Sequence, residues 1–405
     1  MGTQFKAHKI SDSVFWVGAI DWTLADFHGY STRGSTYNAY LVIDEKTVLI
    51  DTVKSGFFEE MMARVRSVID PLKIDYIISN HSEMDHTGSL PETIAATEPD
   101  RVFASAAGAQ NIPAHFHGND RIVPVKEGQR LSLGGRSLRF METKMIHWPD
   151  SMFAYLEEDR LLFSNDVFGM HWASSERYVD QIDPGVRDYE AAKYFANIFM
   201  PYSNLVGKLL EKMKTADLAP LTIAPDHGPI WRKEADIDMI MRKYAVWADP
   251  RPTLKAVIAY DTMWGSTAAM ASAVAAGLES GGAHPKVMPL SLAHRSDIAT
   301  ELLDAGALLV GSSTLNGQML PRIADLLTYL RGLKPRHLIA GAFGSYGWHP
   351  KAVSQIKEIF GELRLPMVGD AVEAKFVPTD DDLRRCLDYG KAVAARLREL
   401  AGSSN

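Results

Sequence analysis

The chain has 405 residues, 46% hydrophobic and 23% charged, with 43 basic against 50 acidic side chains and a net charge of −7. That balance is ordinary for a globular protein of two or three domains, and it argues against wholesale nucleic-acid binding. The single cysteine, Cys386, excludes an intramolecular disulfide, a zinc ribbon and any cysteine-ligated iron–sulfur cluster, each of which needs several thiolates.

In chain order, the start Met1–Lys6 shows no basic-then-apolar leader. Lys6 stands where a myristoylation signal needs Ser or Thr. No stretch approaches the ~20 apolar residues of a membrane helix, so a cytoplasmic location is expected, with no membrane partner. Segments 13–20, 36–43 and 47–52 are rich in Val, Ile, Tyr and Phe and read as strands. Phe58, Met61, Met62, Val65 and Ile69 share one helical face. A buried-type strand over 74–78 then runs into Asn80–His81. Further strands are expected at 101–104, 121–125, 137–142, 152–157 and 160–163, a helix-bearing stretch over 189–215, and a last strand at 221–224. Two sheets covered by helices, an αββα sandwich, would fit this order.

Pro250 and Pro252 interrupt helical continuation. Beyond them strand and helix alternate: strands at 255–260, 286–289, 307–312, 337–342 and 371–377, with a last helix over 381–400. Such alternation means βαβ units and a parallel sheet of doubly wound, flavodoxin-like type. The expected domains are therefore 1–250 and 254–405 of an α/β protein.

His81–Ser82–Glu83–Met84–Asp85–His86 is the most informative segment. It follows a strand, and a loop there can present its ligands as two groups. Two imidazoles and two carboxylates without a thiolate favour iron or manganese over structural zinc. His147, Asp166 and His227 recur at other strand ends. A lone strand-end histidine is more often a structural residue, but the seven together suffice for two metals, and a carboxylate such as Asp166 can bridge.

In the second half, Tyr260–Asp261–Thr262–Met263–Trp264–Gly265–Ser266–Thr267 joins a strand to a helix expected to open near Ser266. Its backbone N–H groups, with the hydroxyls of Thr262, Ser266 and Thr267, suit a phosphate. No Lys follows the glycine, and no dinucleotide glycine fingerprint is present. Gly311–Ser312–Ser313–Thr314–Leu315–Asn316–Gly317 and Gly341–Ala342–Phe343–Gly344–Ser345–Tyr346–Gly347–Trp348 follow the third and fourth strands. Their glycines admit a flat ring closely, which Trp264 or Trp348 could flank.

His-x-x-x-Asp-His followed by His, Asp and His resembles the metallo-β-lactamase superfamily. Glu83 in place of the usual second histidine, with a flavodoxin-like domain behind it, resembles the flavodiiron proteins over nearly the whole chain. The resemblance implies His81, Glu83 and His147 on one non-haem iron. It implies Asp85, His86 and His227 on the other, with Asp166 bridging, and His86 as the ligand in which the family varies. It implies FMN in the three loops of the second domain. The implied reaction is four-electron reduction of dioxygen to water, or else nitric oxide to nitrous oxide; a zinc hydrolase is the distant alternative. Two ferrous ions and reduced FMN hold the four electrons required.

The resemblance also implies a head-to-tail homodimer, or a dimer of such dimers. With no Cys-x-x-Cys pair and no flavin reductase module before Asn405, an external donor is expected, rubredoxin first and a deazaflavin second. His28, in Asp26–Phe27–His28–Gly29–Tyr30, and Tyr194, in Tyr194–Phe195–Ala196–Asn197, look like pocket-lining residues able to donate hydrogen bonds. Ser174–Arg177 reads as a surface loop, Cys386 as a small core residue, and 268–278 as a buried helix face.

Overall fold

The computed structural model describes residues 5–118 and 122–402. Residues 1–4, Arg121 (the first residue of one expected strand) and Asn405 lie outside them. The chain forms two compact units. The first takes the residues up to His28, Thr32–Tyr194 and Asn204–Ala245; the second takes Gly29–Ser31, Phe195–Ser203 and the residues from Val246. The division is thus no single cut, because two short segments of the earlier sequence fold with the later unit.

The first unit is built on two sheets. Among the described residues, one has seven strands in the order His8–Lys9, Val14–Trp16, Tyr40–Val42, Val48–Ile50, Tyr76–Ser79, Arg101–Ser105 and Ile122–Val125. The other has five: Arg130–Ser132, Ser137–Glu142, Met152–Leu156, Leu161–Phe163 and Thr222–Ala224. Side chains alternate across the larger sheet, as the period of two requires. Tyr40, Val42, Val48, Ile50, Ile78 and Phe103 pack with Phe140, Met152, Ala154 and Phe163 of the second sheet. Their neighbours Leu41, Leu49, Ile77 and Val102 face the opposite way, onto Met61, Met62 and Val65 of helix Phe58–Arg66. This is the layered αββα arrangement.

Two expected strands are each divided. Residues 13–20 become Val14–Trp16 and Ala19–Asp21, the latter paired with Ser35–Tyr37 in a separate ladder. A Cβ on Gly18, between them, would collide with Tyr37 O. Residues 36–43 divide at Asn38, whose amide donates to Pro225 O at 2.7 Å and Gly228 O at 2.8 Å and accepts from Trp16 Nε1 at 2.8 Å. Periodicity shows neither corner, because both sides of each are apolar. Strand Arg130–Ser132 and helices Leu90–Thr97 and Gly108–Phe116 also escaped the sequence reading.

The second unit has a parallel sheet ordered His284–Pro289, Lys255–Tyr260, Ala307–Leu315, Ile339–Tyr346, Val372–Lys375. Numbered along the chain that is 2-1-3-4-5, the flavodoxin-like order. The third and fourth strands run three and four residues further than expected, since Ser312↔Gly344 and Ser313↔Ser345 remain in register. Helices Ser266–Ser280 and Asp380–Gly402 meet backbone to backbone: a Cβ on Gly277 would overlap Leu387 O, and one on Gly390 would overlap Val274 O. Cys386 is fully buried in that core, beside Met270, Ala271 and Val274.

Candidate metal centre and flavin cleft

Strand Tyr76–Ser79 delivers the first ligand segment. Asp51 fixes the turn beyond it, accepting Asn80 N and Asn80 Nδ2 at 2.7 Å each. Ser82 N donates to Asp150 Oδ2 at 2.6 Å. Glu83 then caps a short helical turn, Met84–Thr87, so that Asp85 and His86 stand on a helix rather than on the expected loop. The reversal between Glu83 and this turn sends the four ligand-type side chains to two sides. Strands Leu161–Phe163 and Thr222–Ala224 are parallel neighbours and bring Asp166 and His227 to the same end.

The seven converge as two groups about Asp166. On one side, Glu83 Oε2 lies 3.2 Å from both His81 Nε2 and His147 Nε2. Asp166 Oδ2 lies 3.7 Å and 3.3 Å from the same two nitrogens. On the other, Asp85 Oδ1 and Oδ2 face His86 Nε2 at 3.4 Å and His227 Nε2 at 3.2 Å. Asp166 Oδ1 stands 3.2 Å and 3.4 Å from those. One carboxylate thus turns an oxygen to each group.

The donor set fits a pair of metal ions. Both oxygens of Asp85, Nε2 of His86 and Asp166 Oδ2 are buried without a formed hydrogen bond, a costly arrangement unless something binds them. Ligand atoms 3.2–3.7 Å apart suit a sphere with metal bonds near ~2.1 Å. Burial alone would lower His81, but the Asp150 and Glu83 carboxylates outweigh it and push His81 up to about 10. Burial would raise Asp166, but the His86 charge and the His147 hydrogen bond hold it well below the usual carboxylate range. Both shifts mark a site that holds carboxylates against positive charge.

Outer partners orient the imidazoles. His81 Nδ1 faces Asp150 Oδ1 at 3.5 Å and His86 Nδ1 faces Asp226 Oδ2 at 3.7 Å. His227 Nδ1 donates to Thr36 O at 2.7 Å. Tyr194 OH donates to Asp166 Oδ1 at 3.1 Å, and burial beside that carboxylate keeps the phenol protonated. His28 Nε2 is 3.1 Å from Glu83 Oε1, on a side chain 72% exposed. Asn197 accepts from Tyr329 OH and donates to Ser296 O within the second unit. In Ser174–Arg177, read as a surface loop, Ser175 and Glu176 are exposed and the flanking Ser174 and Arg177 turn inward. Arg177 is buried, with its guanidinium 4.3 Å from the Trp16 ring centroid.

The sequence reading missed His171. It is fully buried, with its ring 4.5 Å from His227 and 5.1 Å from Tyr194. Burial, then the His227 charge, keeps it neutral. It follows no strand, which is why the strand-end rule passed over it.

In the second unit a cleft of about 870 Å³ opens at the strand ends. Met263, Trp264, Ser266, Ser313, Thr314, Leu315, Asn316, Gly317, Ser345, Tyr346, Gly347 and Trp348 line it, together with His349 and Phe376, which were not foreseen. The fifth strand ends at Lys375, short of the expected 377, and this puts Phe376 just beyond a strand end. Trp264 and Trp348 stand at the mouth, 92% and 90% exposed. The helix opens at Ser266 behind Gly265, whose φ of 89° a side chain would strain.

The other expected flavin residues support the cleft from below. Thr262 Oγ1 accepts from Gly265 N at 3.1 Å. Thr267 Oγ1 turns inward to Ser313 Oγ at 2.9 Å and Ser345 Oγ at 3.0 Å. Ala342 and Phe343 are buried, and a Cβ on Gly344 would overlap Ser312 O. A helix N-terminus for a phosphate and flat aromatic groups at the rim fit FMN.

Residues 36–228 match the model of the ODP family beta lactamase, and 258–390 that of flavodoxin. A nitric oxide reductase of Moorella thermoacetica is 45% identical over 96% of this chain and 98% of that one. The solved rubredoxin oxygen:oxidoreductase of Desulfovibrio gigas superposes with a TM-score of 0.95 at 42% identity, covering 98% of this chain and 100% of that one. The flavodiiron protein of Giardia intestinalis superposes at 0.91 with 30% identity over 98% of both. Joined modules, near-complete coverage and this identity establish that the chain belongs to the flavodiiron protein family.

Proposed function

We propose that the chain reduces dioxygen to water at the metal centre, with electrons entering through the flavin from an external donor. The observation that carries the reading is Asp166, one buried carboxylate that turns Oδ1 to His86 and Oδ2 to His147. As a member of its family the chain takes two non-haem irons and FMN as cofactors. His81, Glu83 and His147 would hold one iron and Asp85, His86 and His227 the other, with Asp166 shared; His86 belongs to the set because its Nε2 is turned inward. Ser266, Ser313, Thr314, Asn316 and Tyr346 would hold FMN between Trp264 and Trp348. The metal module would extend to about residue 250 and the flavin module from about 254.

When bound, the irons supply Lewis acidity and two electrons and FMN two more, the four that dioxygen needs. The chain's own residues orient and exclude. Tyr194 keeps its proton and fixes the Oδ1 side of Asp166. Thr36 O holds the His227 imidazole by Nδ1, and Asp150 and Asp226 face the far nitrogens of His81 and His86 at 3.5 Å and 3.7 Å. His28 stands over Glu83 on the open side, where a small diatomic substrate would enter.

Nitric oxide reduction is the second reading, favoured by the name of the Moorella relative. The donor is taken to be rubredoxin, the partner in the name of the Desulfovibrio gigas protein. A head-to-tail homodimer would cover the exposed Trp264 and Trp348. Among the described residues no helix is long and apolar enough to cross a membrane, which supports a cytoplasmic location. The test is metal and flavin analysis, followed by consumption assays with reduced rubredoxin. About two irons and one FMN per chain, with dioxygen consumed faster than nitric oxide and no peroxide accumulating, is the expected result. Faster nitric oxide consumption selects the second reading, and zinc without flavin refutes both.

A further inference from the structure

His81 and His86 each lean on an outer carboxylate, but His227 leans on neutral groups. Its Nδ1 lies 2.7 Å from Thr36 O and 3.3 Å from Ser35 Oγ. Ser35 Oγ in turn lies 2.8 Å from Nδ1 of His171, closer than its 3.2 Å alternative at Thr36 O. One consistent proton assignment joins these groups: His227 Nδ1 donates, chiefly to Thr36 O, and the Ser35 hydroxyl donates on to His171 Nδ1. The His227 lone pair at Nε2 is then the one turned to Asp85 and Asp166.

His171 also fixes the plane of that ring. It packs 4.5 Å from His227 at 55°, between Phe27 at 4.5 Å and Tyr194 at 5.1 Å. It belongs to neither three-residue ligand group. An apolar residue of similar size would fill the volume, but it would leave the Ser35 hydroxyl without its nearest acceptor.

We propose that His171, held by Ser35, is a positioning residue that fixes the ring plane of His227 in the tautomer Thr36 O selects, and so secures the metal in the Asp85–His86–His227 group. The inference rests on the diiron reading above. Outer partners of metal-bound histidines typically contribute about 10–100-fold in metal affinity. The effect should fall on one metal of the pair, because the His81–Glu83–His147 group has its own outer partner in Asp150.

The test uses the full-length protein loaded with iron-57 and FMN. Iron retention against a ferrous chelator and the Mössbauer spectrum are followed in wild type, His171→Leu, His171→Asn and Ser35→Ala. His171→Leu and Ser35→Ala are expected to release one iron at least ~10-fold faster and to shift one of two iron signals, with FMN content unchanged. His171→Asn, which returns an amide oxygen near the place of Nδ1, should restore retention. His171→Leu or Ser35→Ala with wild-type retention and spectrum overturns the inference. If His171→Leu loses FMN as well, its fold has failed and Ser35→Ala decides. Wild type that binds no iron pair would instead refute the functional reading.

Discussion

Asp166→Asn gives the sharpest view of the metal centre, because it preserves shape and removes one property at a time. In the native side chain, Oδ2 faces His81 and His147 and Oδ1 faces His86 and His227. The amide has one oxygen and one NH₂, so only one side can keep a ligand. Tyr194 decides which. Its hydroxyl donates to Oδ1 at 3.1 Å and its phenol stays protonated, so the amide oxygen belongs on that side. The NH₂ then points at His81 and His147, and their group loses its oxygen and gains a repelling donor. Loss of an outer partner costs about 10–100-fold in affinity, and loss of a shared ligand should exceed that, at least ~100-fold or about 2.7 kcal/mol.

The expected protein retains about one iron and a full complement of FMN after gel filtration against a chelator. Adding His147→Ala should remove nothing further, whereas adding His227→Ala should remove the remaining iron. Adding Tyr194→Phe should abolish the bias, so that either group can lose its metal. Two tightly held irons in Asp166→Asn would refute the bridging geometry, and retention confined to the His147 side would refute the role given to Tyr194.

Other expectations are independent of the metals. Gly277→Ala should lower stability by about 1–3 kcal/mol, read as a fall in Tm, because the new methyl meets Leu387 O across the helix pair. Cys386 should resist a thiol reagent at pH 8 until the protein is unfolded, since it is fully buried and burial pushes its thiol up to about 11; rapid native labelling would contradict that core. Trp264→Ala and Trp348→Ala should each weaken FMN binding by about 1–3 kcal/mol, the worth of stacking on a flat base, in a fluorescence titration of flavin-free protein.

The ligand residues were legible because their chemistry is local: each stands just beyond a strand, and strands rich in β-branched residues announce themselves. That the second unit carries a parallel sheet followed from alternation. What the sequence hid was long-range. Asn38 and Gly18 mark corners only because Pro225 O, Gly228 O and Tyr37 O lie opposite them, and nothing in the residues nearby says so. His171 was hidden for the same reason, its partners lying at Ser35 and His227. Thr267 was read as a phosphate donor from its place on the loop, but the inward-facing serines of two other strands engage it first.

The larger sheet of the first unit is apolar on both faces, with Tyr40 and Val42 turned to one core and Leu41 to another. A slip of one residue along such a strand exchanges two greasy surfaces, so hydrophobicity alone does little to forbid it. The burden of alignment falls on the polar corners. Asn38 is buried with three hydrogen bonds that only one alignment can satisfy, and two of them end on Pro225 and Gly228, either side of His227. A chain folded out of step would therefore misplace a metal ligand at once. The oxygen chemistry and the fidelity of folding share a single asparagine, and a change there should appear first as heterogeneous, metal-poor protein rather than as a slower enzyme.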